Sequence, residues 1–104
     1  MTVYVDDART PFRGWRMCHM LADTDEELQA MARALGLQHR WQHDDHYDLN
    51  EETRALAVAL GAVEISRRQA AAMRAHRRVH GRLGEPTAAL VWFRVSLRVR
   101  VVRD

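Results

Sequence analysis

The chain has no lysine, one cysteine, two prolines and no apolar run near the ~20 residues of a membrane-spanning helix. Each shortage removes a class of protein. The lone Cys18 cannot build an internal disulfide framework and fits a reducing cytoplasm. Thr2-Val3-Tyr4-Val5 followed by two acids has neither the basic start nor the apolar core of a secretory signal. A cytoplasmic protein with no membrane partner is therefore expected. The use of Arg at all 16 basic positions reads as genomic base composition more than as a demand for guanidinium chemistry. H-E-x-x-H, paired C-x-x-C and Gly-rich phosphate-loop signatures are missing, as are internal repeats and low-complexity segments.

What remains is an ordinary globular composition, 47% hydrophobic and 29% charged, over 104 residues. A chain of this length buries roughly two-thirds of its unfolded surface, enough for one core but not for an enclosed substrate cavity. An active site here is an open cleft or is completed by a second copy. Charge is divided along the chain: residues 1–64 carry 6 Arg against 12 acids, and residues 65–104 carry 10 Arg against 2. The basic half can bind nucleic acid or the acidic half of a twin subunit.

Val3-Tyr4-Val5 reads as a buried strand ended by Asp6-Asp7, and residues 8–14, with Pro11 and Gly14, as loop. Met17–Leu21 reads as a second strand. Thr24 and Glu27 have capping-box spacing, and Leu28, Met31, Ala32 and Leu35 then recur with helical period until Gly36. Leu37–Trp41 is a third strand candidate, followed by a polar loop through His46-Tyr47-Asp48. Asn50 caps a second helix over 51–60, Ala62–Ile65 forms a further strand, and Ser66 with Gln69 opens a third helix running to about His80. This alternation predicts an α/β fold, a small mainly parallel sheet with about three flanking helices, occupying residues 1–80. Residues 81–104 read as an extension. There Phe93, Val95, Leu97, Val99 and Val101 alternate with Arg94, Ser96, Arg98 and Arg100, the period-two pattern of a basic amphipathic strand. Such a strand packs on its own domain or pairs with a second copy to make a homodimer.

In an open parallel sheet, ligands bind beyond the carboxyl ends of the strands. Asp6 and Asp7 follow the first strand, Asp23 the second, and His46 and Asp48 the third, while His19 lies within the second. Imidazole nitrogens with carboxylate oxygens suit a divalent metal such as zinc, manganese or iron, and a carboxylate-held histidine suits acid–base work near neutral pH. Asp6, His19, His46 and Asp48 are thus candidate metal ligands, with Asp23 and His46 as candidate catalytic groups. Each also has a plain reading. Asp6 and Asp7 can simply end a strand, Asp23 can add charge at a helix start, His19 can be a core-edge histidine, and His46-Tyr47-Asp48 can cap the second helix. Trp15 and Trp41 read as core plugs, Cys18 as a buried small residue, and His39 and His43 as outside the site.

Val3-Tyr4-Val5-Asp6-Asp7, His19-Met20-Leu21-Ala22-Asp23, Glu27-Leu28, His46-Tyr47-Asp48 and Gly61-Ala62-Val63-Glu64-Ile65 together resemble the small bacterial and phage family catalogued as domain of unknown function 4031. The resemblance covers about residues 1–75 and implies a compact domain with no established activity. It strengthens the claims of Asp6, His19, Asp23, His46 and Asp48. The resemblance also implies that many relatives carry His directly after the Glu-Leu pair where this chain has Gln29, so an essential ligand at that position would be lost here.

Three readings follow: a metal-dependent hydrolase or nuclease-like domain, a non-catalytic nucleic-acid or partner-binding module, and a structural accessory protein. The second rests on Arg67, Arg68, Arg74, Arg77, Arg78 and Arg82 of the third helix and tail. It predicts retention on heparin with a steep salt dependence, weakened in an Arg77→Ala plus Arg78→Ala variant; elution unchanged by that substitution would remove these two residues from any such surface.

Overall fold

The computed structural model describes residues 2–103, with side chains described through Val99. It is a mixed α/β structure that divides after Ser66 into two compact units. The first contains six strands: β1 (Val3–Val5), β2 (Thr10–Phe12), β3 (Trp15–Ala22), β4 (Gln42–His43), β5 (His46–Asn50) and β6 (Val63–Glu64). Two helices, α1 (Asp25–Ala34) and α2 (Glu51–Ala59), belong to the same unit. The second unit holds α3 (Arg67–His80) and α4 (Pro86–Arg103). The third helix and the C-terminal residues thus fall in one unit. No helix among the described residues is long and apolar enough to cross a membrane.

The sheet runs β4-β5-β3-β1-β6, with β2 beside the first half of β3. Only β1–β6 is parallel; the four other pairings are antiparallel, which corrects the expectation of a mainly parallel sheet. Two short turns account for the difference. Arg13 and Gly14, at φ 50° and 85°, make a two-residue hairpin turn, so the segment expected as loop supplies β2. Pro11 is tolerated there because β2 pairs along one side only. Asp44 and Asp45 turn β4 into β5, Asp44 taking the left-handed φ of 54° that aspartate accepts more readily than most residues. The expected third strand at Leu37–Trp41 is instead a loop with one 3₁₀ turn at His39–Trp41, and His46-Tyr47-Asp48 is strand, not loop.

β3 is the axis of the sheet. Its eight residues pair with β2 through Trp15–Met17, with β1 through Met20–Ala22 and with β5 through Met17–Met20. The period of two then sorts side chains by face. Val5, Cys18, Met20, Ala22, Tyr47 and Leu49 point to one face and pack with Leu28 and Ala32 of α1 and Ala57 of α2. Burial pushes the Cys18 thiol up to about 12, with the negative charge of Asp6 adding to it. Trp15 and Trp41 are not core plugs: they are 54% and 47% exposed.

Both helix starts are as the capping residues predict. Thr24 Oγ1 accepts the Glu27 N–H and donates to its carboxylate, and Asn50 Oδ1 accepts the Thr53 N–H at 2.8 Å. Gly36 follows α1 at φ 75°, and the Leu37 N–H reaches back to the Ala32 carbonyl, a Schellman closure.

The expected C-terminal strand is a helix. Glu85 starts it, its carboxylate accepting the Ala88 N–H at 2.8 Å, and Pro86 occupies the first helical position, where its missing N–H costs nothing. Pro86, Ala89, Leu90, Trp92, Phe93 and Ser96, recurring at spacings of three and four, are the less exposed positions and outweigh the alternation of 93–99. The Val101 part of that alternation lies outside the described side chains. The homodimer expected through strand pairing loses its element.

Cys18 at 3% exposure and a thiol raised to about 12 should resist modification. Labelling by a thiol reagent at pH 8 is expected to be on the order of a thousandfold slower than in denaturant. Comparable native and denatured rates would contradict this burial. Asn50→Ala should cost about 1 kcal/mol in urea unfolding through loss of the α2 cap.

Candidate metal centre

The face of the sheet opposite that core carries the chemistry. Alternation along β5 puts His46 and Asp48 on it, between the buried Tyr47 and Leu49. Alternation along β3 puts His19 there, between Cys18 and Met20. The register pairs His19 with Asp48 across β3–β5, and His43 with His46 across β4–β5. On the other side of β3, the Asp6 N–H donates to the His19 carbonyl at 3.0 Å, so Asp6 lies laterally beside His19. Asp48, His19 and Asp6 therefore form one row across three strands, with His46 two residues further along β5.

His19, His46 and Asp48 each present a ligand atom within 4.8 Å of the others. The imidazoles meet edge to face with centroids 5.1 Å apart. Behind each histidine stands a carboxylate. His19 Nδ1 donates to Asp6 Oδ2 at 2.7 Å, and His46 Nδ1 donates to Asp45 Oδ1 at 3.0 Å. On the far edge of the second ring, His46 Nε2 is 3.3 Å from Asp48 Oδ1. Holding Nδ1 by a carboxylate fixes the ring and directs Nε2 toward a cation, the usual support of a metal-ligating histidine.

Asp6 itself is only 1% exposed. Its Oδ1 accepts the backbone N–H groups of His19 at 2.8 Å and Ala8 at 3.2 Å, while Oδ2 takes the His19 ring. Burial alone would raise its pKa, but the His19 ring bond, the two backbone bonds and the attraction of His19 outweigh it and leave the carboxyl below its ordinary value. The Asp6 carbonyl accepts from Arg54 Nε at 2.8 Å, and the same guanidinium pairs with Glu64 at 2.9 Å, tying α2 to the ends of β1 and β6. Asp6 thus stands behind His19 and positions its ring.

The structure does not bring Asp23 to this group. It lies four residues beyond His19, about 13 Å along an extended strand, and accepts a hydrogen bond from the Tyr4 hydroxyl at 3.1 Å. Burial and that bond to Asp23 push the Tyr4 phenol up. Asp7 is exposed on the loop after β1. Gln29 sits on α1, where its amide carbonyl accepts from the Tyr47 hydroxyl at 2.8 Å and its amide nitrogen donates to Gln42 at 2.7 Å. Tyr47 points to the opposite face of β5 from His46 and Asp48, so Gln29 lies on the other side of the sheet from the His19–His46–Asp48 group.

Two members escaped the sequence reading. Asp45 is the partner of His46, and His43 stacks on His46 with centroids 5.9 Å apart and approaches Asp48 Oδ2 to 3.7 Å. The signal was present in the spacing: His43 and His46 flank a two-residue Asp-Asp turn, which places them opposite one another once the segment is read as a hairpin.

The model of a family described as protein of unknown function, DUF4031, matches residues 3–77. No curated protein and no solved structure matches the chain. The matched span contains every residue of the cluster.

Asp6→Asn should cost about 1–3 kcal/mol at pH 7, since it weakens a buried carboxylate that satisfies three donors. With a folded pKa below the ordinary 3.8, the carboxylate's contribution is complete above that value and is lost as pH falls through the lowered one. The stability gap between wild type and Asp6→Asn, followed by urea unfolding, should therefore shrink below about pH 4; a gap that widened on acidification would contradict the assignment.

Proposed function

The chain belongs to the domain of unknown function 4031 family, whose description names no activity, and we propose that it binds a divalent cation and hydrolyses phosphoesters. The observation that carries this reading is the pairing of two histidines, each backed by its own carboxylate, with Asp48 inside one 4.8 Å cluster. Two imidazoles and one carboxylate are a donor set suited to zinc, manganese or iron, with coordination positions left for water and substrate. The three carboxylates Asp6, Asp45 and Asp48 set the local field in favour of a cation. A bound cation would supply Lewis acidity, polarising a phosphoryl oxygen and lowering the pKa of water beside it.

The chain's own residues have separable parts in this scheme. His19 and His46 would hold the cation through Nε2. Asp48 would complete the set with a carboxylate oxygen. Asp6 and Asp45 keep the imidazoles in the coordinating tautomer. His43, with its side chain 67% exposed and 3.7 Å from Asp48, would move a proton between the site and solvent. The cluster lies on an open sheet face, with His19 and Asp48 about one-third exposed at 32% and 35%, which suits a substrate too large to be enclosed.

Calorimetry with zinc and with manganese should give one site per chain, abolished by His46→Ala and weakened about 10–100-fold by Asp45→Asn, with circular dichroism unchanged. A phosphodiester such as bis-(p-nitrophenyl) phosphate should turn over with the metal-loaded protein and fail to do so with Asp48→Asn. Absence of binding to either metal by a folded protein would reduce the cluster to a polar network on a structural protein. Binding without turnover of any phosphoester would leave a metal site and remove the hydrolase.

A further inference from the structure

We propose that the α3–α4 unit binds single-stranded nucleic acid, seating an unstacked base in the groove between its two helices. Residues 67–104 carry 10 Arg against 2 acidic residues, an excess that suits a polyanionic partner. Charge alone would fit any polyanion. What narrows the choice is a groove of about 500 Å³ whose wall combines aromatic, apolar and cationic side chains: His80 and Arg78 from α3 with Trp92, Phe93, Ser96 and Leu97 from α4. α3 has no Phe, Tyr or Trp among its arginines; folding of the hairpin brings Trp92 and Phe93 into the groove beside Arg78.

The aromatic wall is built, not incidental. His76 and His80, one helical turn apart, lie with ring centroids 4.4 Å apart, and both meet Trp92 edge to face at 5.0 and 5.3 Å. His76 Nδ1 donates to the Arg82 carbonyl at 2.7 Å, which anchors the ring to the interhelical loop. Gly84 makes that possible: at φ 75° it carries no Cβ, and one placed there would come within 3.1 Å of the His76 ring. At the groove's rim Val79 is 66% and Leu97 44% exposed, apolar surface left open where a ring can rest.

Arg78 lines the groove, and Arg82 on the interhelical loop and Arg94 and Arg98 on α4 are also exposed. Their guanidinium groups suit phosphate oxygens, which they grip bidentately, and base faces, on which they stack. A duplex hides its base faces within the stack and would leave the groove unused, whereas a single strand offers a base and a phosphate together at each nucleotide. A single strand is therefore the occupant the two features jointly select.

The test uses the full chain with Trp15→Phe and Trp41→Phe, which removes two exposed indoles and leaves Trp92 the sole tryptophan. Titration is with an oligothymidylate of about 15 nucleotides, in EDTA so that the His19–His46–Asp48 cluster takes no part. Saturable binding with quenching of Trp92 emission is expected, together with a steep fall in affinity as salt rises. Arg78→Ala plus Arg82→Ala should weaken binding at least tenfold at low salt and flatten the log–log salt slope by about 1.4, or 0.7 per lost phosphate contact. Leu97→Glu, at the exposed rim, should weaken binding with helicity unchanged by circular dichroism. Three results would overturn the proposal: no binding at about 50 mM salt, equal affinity for duplex or heparin with Trp92 emission unmoved, or preference for anionic lipid vesicles. Metal calorimetry on the same protein stands or falls separately, so either reading can fail alone.

Discussion

A carboxylate sealed inside a protein is tolerable only when its lone pairs are occupied, and Asp6 at 1% exposure meets that condition by replacing part of a β-ladder. Where β1 ends, the side chain of Asp6 accepts the His19 N–H that a backbone carbonyl would otherwise take, while its own carbonyl turns to Arg54. One residue thereby ends a strand, fixes a histidine and draws in α2 through a guanidinium that also reaches Glu64 on β6. The fold and the site share this junction. Apolar substitution at position 6 would leave both the His19 N–H and its ring without their acceptor.

Around that junction the sheet acts as a sorter. One face of β3 and β5 is given to packing against α1 and α2, and the other to His19, His46 and Asp48. Period-two alternation makes the two assignments inseparable: a one-residue slip of β5 would bury the histidine and expose Tyr47. The Asp44-Asp45 turn helps to hold this register, because it pairs His43 with His46 and gives His46 its Asp45 partner. Turn chemistry and site chemistry are carried by the same dipeptide. The α3–α4 unit follows a different plan, with arginines on its surface and an aromatic cluster, His76–His80–Trp92, joining its two helices.

The parts legible in the sequence are those governed by neighbours. Thr24 and Asn50 name the starts of α1 and α2, Gly36 the end of α1, and Val3–Val5 the first strand, since capping and β-branched patterning act within a few residues. Strand direction was not legible, because nothing local states which partner a short strand will meet. The hairpin turns Arg13-Gly14 and Asp44-Asp45 decided it, and only Gly14 among those residues is a strong turn signal. The C-terminal helix was misread for a related reason. Arginine and valine alternate from 94 to 99, but Glu85 and Pro86 set a helix start whose less exposed positions recur every three or four residues. Two periods coexisted in one segment, and packing chose between them.

The sequence by itself determined the supply of chemistry: six histidines, an acidic first half, an arginine-rich second half, and the identity of Asp6, His19, His46 and Asp48 as candidates. Tertiary structure alone decided which of them meet. It set Asp6 behind His19, added Asp45 and His43, left Asp23 with Tyr4, and moved Gln29 to the opposite face of the sheet. The reason is geometric. Residue type fixes what an atom can donate or accept, whereas distances between residues 13 or more positions apart depend on strand pairing and register.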